Sequence, residues 1–222
     1  MGPILTDAHR RLLRMIFDRG AEGASLALSK WLGREVHLAV SDVELVELEQ
    51  AGELLGPPDA LVAACTMGLT GRLTGSLLLV FEDRSGLALA DLLLHQPIGT
   101  TTAWGELEQS AAKETTNIVG CAYVNALAAH LPGDDGGGGG APGTGELIPT
   151  PPSFLHEFAG SLLEFVLMEQ AMELDKLLLI RSEFAGGPDM PQLNWTLLFI
   201  PSRAALEALA ASLARLESPT SA

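Results

Sequence analysis

The chain has 222 residues, 47% of them hydrophobic and 18% charged, with a formal net charge of −15. That is ample apolar material for one globular domain, or for two small halves packed on a shared core. The acid excess argues against a nucleic-acid partner, which needs clustered Lys and Arg to displace phosphate counterions; the one basic group, His9-Arg10-Arg11 with Arg14, reads as a solvated helix face.

In chain order, a helical pattern runs from about Thr6 to Leu32, with Thr6-Asp7 as caps and Gly33 as its stop. Glu35–Leu48 alternates with period two and predicts a strand. A short Glu49–Leu55 segment ends at Gly56-Pro57-Pro58. Two apolar runs, Ala60–Leu69 and Ser76–Phe81, flank Gly71 and Gly75 and predict a hairpin, followed by an amphipathic helix over Ser85–His95. The order then begins again. A long helix is expected from about Trp104 to Leu131, then a Gly/Pro loop, an extended Leu147–Pro152 and a helix over Ser153–Gln170. Strands are expected at Lys176–Phe184 and Leu193–Ile200, and a last helix at Arg203–Leu216.

Leu26–Leu32 lies over Asn125–Leu131 at an offset of 99 residues, and each half ends in a strand followed by a helix. The expected fold is therefore α+β: a pseudo-twofold repeat whose hairpins share a largely antiparallel sheet, with helices packed against it. The expected organisation is a single domain over residues 1–217, with halves at about 6–95 and 104–217, and a disordered tail at 218–222. Residues 132–146 carry five consecutive glycines, lose too much entropy on ordering to hold one structure, and read as a flexible excursion. The formal GxGxxG at Gly138, Gly140 and Gly143 has no strand before it and no helix after it, so it is no dinucleotide site.

With three Trp, one Tyr and seven Phe, the core is expected to be aliphatic. Cys65 and Cys121 lack CxxC spacing and read as reduced, buried thiols of a cytoplasmic protein. No signal peptide is evident, and no run approaches the roughly 18 apolar residues that span a bilayer. The five His (9, 37, 95, 130 and 156) show no ligand spacing and read mostly as surface or strand-end residues, so no metal site is expected.

One segment has a chemical reading. At about 100° per residue, Ser110, Glu114, Asn117, Cys121 and Ala128 fall within roughly 60° on one face of the second long helix. Asn is a poor helix former in mid-helix. Read alone, this stripe is more readily a capped or solvated turn than a site. Ser110-Ala-Ala-Lys113 also matches the SxxK of penicillin-interacting enzymes, but the companion SDN and KTG elements are absent, which leaves a chance match.

Ser110-x3-Glu114-x2-Asn117 resembles the signature of the CheC/CheX/FliY family of chemotaxis response-regulator phosphatases: Asp or Ser, three residues, Glu, two residues, Asn. Ile118–Leu127 is similar to the family's helix, and Pro149-Thr-Pro-Pro-Ser153 to the segment after it. The family pattern then places a Pro where this chain has Gly140; Pro151 and Pro152 come about eleven residues later, a shift the Gly-rich insertion accounts for. Gly20–Gly33 resembles the helix after the first site of two-site CheC proteins. The 99-residue offset puts Met15 where the Glu would stand and Asp18 where the Asn would stand, so the first site is expected to be degenerate.

The resemblance implies an enzyme, a phosphatase that binds a phosphorylated CheY-like receiver domain and hydrolyses its aspartyl phosphate. Asn117 and Glu114 would be catalytic, Asn117 orienting the attacking water and Glu114 pairing with the receiver's Lys. Ser110 and Cys121 would join Glu114 in contacting the partner. No cofactor is implied for this chain, since the receiver carries its own Mg²⁺. A CheD-like protein is a further candidate partner. The alternative is a non-catalytic receiver-binding or scaffold protein, a flagellar-switch or CheD-binding relative.

Overall fold

In the computed structural model, which describes residues 5–47, 50, 55–130, 147–168, 176–186 and 193–217, the first helix α1 spans Asp7–Leu32. It opens on a capping box: Thr6 Oγ1 accepts from the His9 backbone N–H, and His9 Nδ1 accepts from the Thr6 N–H. It closes at Gly33, whose φ of 65° is the left-handed conformation that glycine adopts without a Cβ penalty. The expected ends are the observed ones. His9 is buried by this role, so it is not a surface histidine.

Strands β1 (Val36–Glu47), β2 (Leu61–Gly71) and β3 (Gly75–Glu82) follow, then helix α2 (Asp83–Leu93). The second half contains α3 (Glu106–Ala128), β4 (Leu147–Pro149), β5 (Ser153–Phe158), α4 (Ala159–Met168), β6 (Lys176–Gly186), β7 (Leu193–Pro201) and α5 (Arg203–Glu217). The Gly-rich segment 132–146, the tail 218–222 and most of Glu49–Leu55 lie outside the described residues.

The described strands form one curled antiparallel sheet in the order β1-β6-β7-β3-β2, with β4 and β5 both on the outer edge of β2. Exchanging β1 with β5, β2 with β6 and β3 with β7 leaves the order β1-β6-β7-β3-β2-β5 unchanged, so each half lends its first strand to the other half's hairpin. Both halves kink that lent strand. β1 shifts register between Val40 and Asp42, and the corresponding break separates β4 from β5.

Period-two burial divides the sheet between two cores. Leu77, Leu79 and Phe81 of β3, with Leu197 and Phe199 of β7, face α1, α2, α3 and α5. Leu78, Val80, Leu198 and Ile200 face the other way, into a smaller core closed by Ala159 and Leu162 of α4. The main core is not purely aliphatic: Tyr123, Phe17, Phe81, Phe184 and Phe199 are its largest fully buried side chains. Scarce aromatics were placed where their large area counts most.

The expected helix over Ser153–Gln170 is corrected. Its first six residues pair with β2, from Thr66↔Ser153 to Leu61↔Phe158, and only Ala159–Met168 is helical within the described residues. An open sheet edge with unmet backbone groups outweighs weak helical periodicity here, and Phe154 gains a ring contact with Trp104 at 5.0 Å.

Helices α1 and α3 pack directly on one another. Gly20 lets the Tyr123 backbone approach, and the Phe17 and Tyr123 rings meet edge-to-face at 5.6 Å. The Tyr123 hydroxyl reaches β6 at Ser182 Oγ, 2.9 Å away, and burial pushes the phenol's pKa up to about 12. This crossing predicts opposite outcomes for two nearby glycines. A Cβ on Gly20 would overlap the Tyr123 ring and lie 3.1 Å from its Cα, whereas one on Gly23 would meet only Ala122 Cβ at an ordinary 3.9 Å. Gly20→Ala is expected to cost about 1–2 kcal/mol net, as overpacking outweighs the helix-propensity gain. Gly23→Ala should stabilise by about 0.5–1 kcal/mol. Urea unfolding of both variants checks this, and equal shifts of one sign would refute the packing argument.

Candidate functional site

Helix α3 carries its polar stripe to the sheet edge. Ser110, Lys113, Glu114 and Asn117 line one wall of an open cleft of about 420 Å³, and Pro149, Thr150, Pro151 and Pro152 line the other. Ser110 and Glu114 are exposed, and Lys113 and Asn117 are half-buried. The proline wall is the break between β4 and β5, and it is pinned to β2. The Thr150 N–H donates to Gly68 O at 2.8 Å, and the Gly68 N–H donates to Thr150 Oγ1 at 2.9 Å. A side chain at Gly68 would press on Thr150, 3.2 Å from its Oγ1. Pro151 and Pro152, late in the sequence pattern, line the same cleft as Asn117.

The opposite face of α3 explains why such a polar stripe is tolerated in a packed helix. Thr115 and Thr116 are buried and bond back to Ala111 O and Ala112 O, each at 2.9 Å. Gly120 lets the helix sit close on Met67 and Leu77 of the sheet. At the near end, Trp104 stacks on Phe154 and donates from Nε1 to Asp83 at 2.8 Å, and His156 Nε2 meets the same carboxylate at 2.9 Å. The start of α3 is thereby tied to β5 and α2.

Cys121 does not line the cleft. It lies one turn further along, in a neighbouring groove of about 640 Å³ between α1 and α3, and Asn117 borders both cavities. The Cys121 thiol donates to Asn117 Oδ1 at 3.6 Å. Burial, and then the Glu114 charge, push that thiol's pKa up, which keeps it protonated and able to donate. The remaining lone pair of Oδ1 and the Nδ2 hydrogens are left for a ligand. Both cysteines are free, and burial pushes Cys65 up to about 11.

Met15 and Asp18 occupy the corresponding turn of α1, and both are exposed, Met15 by 59%. Neither lines the two hollows described beside α1. The equivalent hollow of about 410 Å³ lies between α1 and the β1 kink, and it is lined by Asp7, Arg10, Arg11, Arg14, Asp42, Val43 and Glu44. Several of its polar groups already have partners. Arg10 pairs with Asp7, Arg14 donates to Val40 O at 3.4 Å, and the Asp42 and Glu44 carboxyls share a hydrogen bond that lowers the first group's pKa and raises the second's. Lys113 and Thr150 are the cleft residues that sequence reasoning missed. Lys113 was visible only as part of a chance SxxK, and Thr150 only as a spacer between prolines.

Among the described residues no group of three or more His, Cys, Asp or Glu could hold a metal, and no helix is long and apolar enough to cross a membrane.

No protein-family model matches the chain. It is 26% identical over 119 residues to the CheY-P phosphatase CheC of Bacillus subtilis, covering 53% of this chain and 57% of that protein. It is 24% identical over 121 residues to a CheC1 protein of Halobacterium salinarum, 53% of this chain and 61% of the other. The matched stretch is thus little more than half the length of these curated relatives. Thermotoga maritima FliY superposes with a TM-score of 0.73 at 16% identity, over 96% of this chain and 99% of that one. The fold is that of the CheC-like chemotaxis proteins. In sequence as well as fold, the chain resembles the CheC/CheX/FliY family.

Proposed function

We propose that this chain is a cytoplasmic phosphatase of chemotaxis or two-component signalling that docks a phosphorylated CheY-like receiver and hydrolyses its aspartyl phosphate. The observation that carries the reading is the meeting of Ser110, Glu114 and Asn117 in one open cleft, rather than along a featureless solvated helix. An acyl phosphate is already activated, so the chemistry requires only a water held in line with phosphorus. The water oxygen bonds to phosphorus, the bond from phosphorus to the receiver's aspartyl oxygen breaks, and the water proton leaves with the inorganic phosphate. Asn117 accepts from and donates to that water, as an orienting Gln does in GTPases. Glu114, exposed one turn away, pairs with the receiver's Lys and sets the register. Mg²⁺ belongs to the receiver. Cys121 contributes through its hydrogen bond to Asn117, at the margin of the docking face.

The scaffold reading has one observation in its favour: the turn of α1 that corresponds to Glu114 and Asn117 carries Met15 and Asp18 instead, and the hollow nearest it is lined by arginines and carboxylates. Single-turnover phosphate loss from a panel of phosphorylated receivers separates the two. Acceleration of at least one receiver's phosphate loss is expected. Binding without acceleration across the panel would leave a scaffold.

A further inference from the structure

We infer that Lys113 is a substrate-contacting residue that binds the phosphoryl group and makes the cleft prefer the phosphorylated receiver; the inference rests on the proposed phosphatase reading and assigns that site a further residue.

The argument begins with charge. A phosphoryl group brings close to two negative charges to the cleft mouth. The cleft itself carries the Glu114 carboxylate, on a protein of net charge −15. The receiver's own Mg²⁺ and Lys answer part of that charge, and a cation on the cleft side offsets the repulsion that Glu114 adds. Among the described residues that line the cleft, Lys113 is the only basic one. It stands on the proline-wall side of the stripe, about 40° around the helix from Asn117. The residue is half-buried, which limits where the ammonium can point. Among the described residues it makes no ion pair or hydrogen bond, whereas in the equivalent hollow of the first half Arg10 and Arg14 already have partners. An uncommitted cation beside a carboxamide and a carboxylate divides the labour. Glu114 answers the receiver's cation, Lys113 the phosphoryl oxygens, and Asn117 the water between them.

Receiver affinity, measured with and without a stable phosphoryl analogue on the receiver, tests this in the parent, Lys113→Met and Lys113→Arg. Methionine keeps the stem without the charge. The parent's preference for the loaded receiver should fall by about tenfold in Lys113→Met and largely return in Lys113→Arg, since a charge-assisted contact is lost and restored. Unloaded receiver should bind parent and Lys113→Met alike. A Lys113→Met variant that keeps the parent's preference would overturn the assignment. If no receiver binds at all, the phosphatase reading fails, and titration with inorganic phosphate decides the Lys113 contact separately. Amide shifts at Ser110, Lys113 and Asn117 that disappear in Lys113→Met sustain it, and their absence in the parent refutes it.

Discussion

Asn117→Ala is expected to lower the dephosphorylation rate at saturating receiver by about a hundredfold, with receiver affinity near the parent value. Alanine is the better helix former, and among the described residues the Asn117 side chain bonds only to Cys121, so the helix itself loses little. What disappears is the carboxamide proposed to orient a water beside the phosphorus. Glu114→Ala should fail differently. It removes an exposed carboxylate whose proposed partner is on the receiver, so affinity should weaken by roughly 1.5–3 kcal/mol together with turnover. The discriminating measurement pairs affinity for receiver carrying a stable phosphoryl analogue with single-turnover phosphate loss. Two variants that leave both quantities at parent values would reduce the stripe to a solvated helix face. Equal losses in both quantities for both variants would show docking without a separate water-orienting step.

Much of this site was legible in the sequence because helical spacing is a strong constraint. Once Glu106–Ala128 is a helix, Ser110, Glu114 and Asn117 must share a face. The caps at Thr6 and Gly33 were legible for the same reason, since local backbone chemistry decides them. The far wall was not, because it depends on strand pairing across about 80 residues. Thr150 meets Gly68 only after β2 and the β4–β5 break are in register. The β5 strand failed as a sequence reading on the same ground, its conformation being set by the edge of β2. The asymmetry of the two halves was half visible. Met15 and Asp18 differ in sequence from the Glu114 and Asn117 to which they correspond, but the arginines and carboxylates of the neighbouring hollow come from α1 and β1 together.

The linker between the halves provides the second large expected effect. Asp91 of α2 is fully buried, and its carboxylate accepts three backbone N–H groups: Gly99 at 2.7 Å and Thr100 at 3.0 Å on Oδ2, and Thr101 at 3.0 Å on Oδ1. Gly99 takes a φ of 90°, which aims its N–H inward at no Cβ cost. A buried carboxylate is tolerated only when its lone pairs are answered, and here they are answered by the loop that leads to Trp104 and α3. Asp91→Ala is expected to cost about 3 kcal/mol, less than the sum of three charge-assisted bonds because the Gly99 and Thr100 donors are exposed enough to turn to water. In a chain of this size that corresponds to a melting temperature lower by about 6–12 °C. Asp91→Asn should recover little. Its single oxygen can replace Oδ2, but its NH₂ would then face the Thr101 N–H, donor against donor. Thermal unfolding of both variants makes the comparison, and an Asp91→Asn protein as stable as the parent would mean that the pocket needs the side chain's volume rather than its two acceptors.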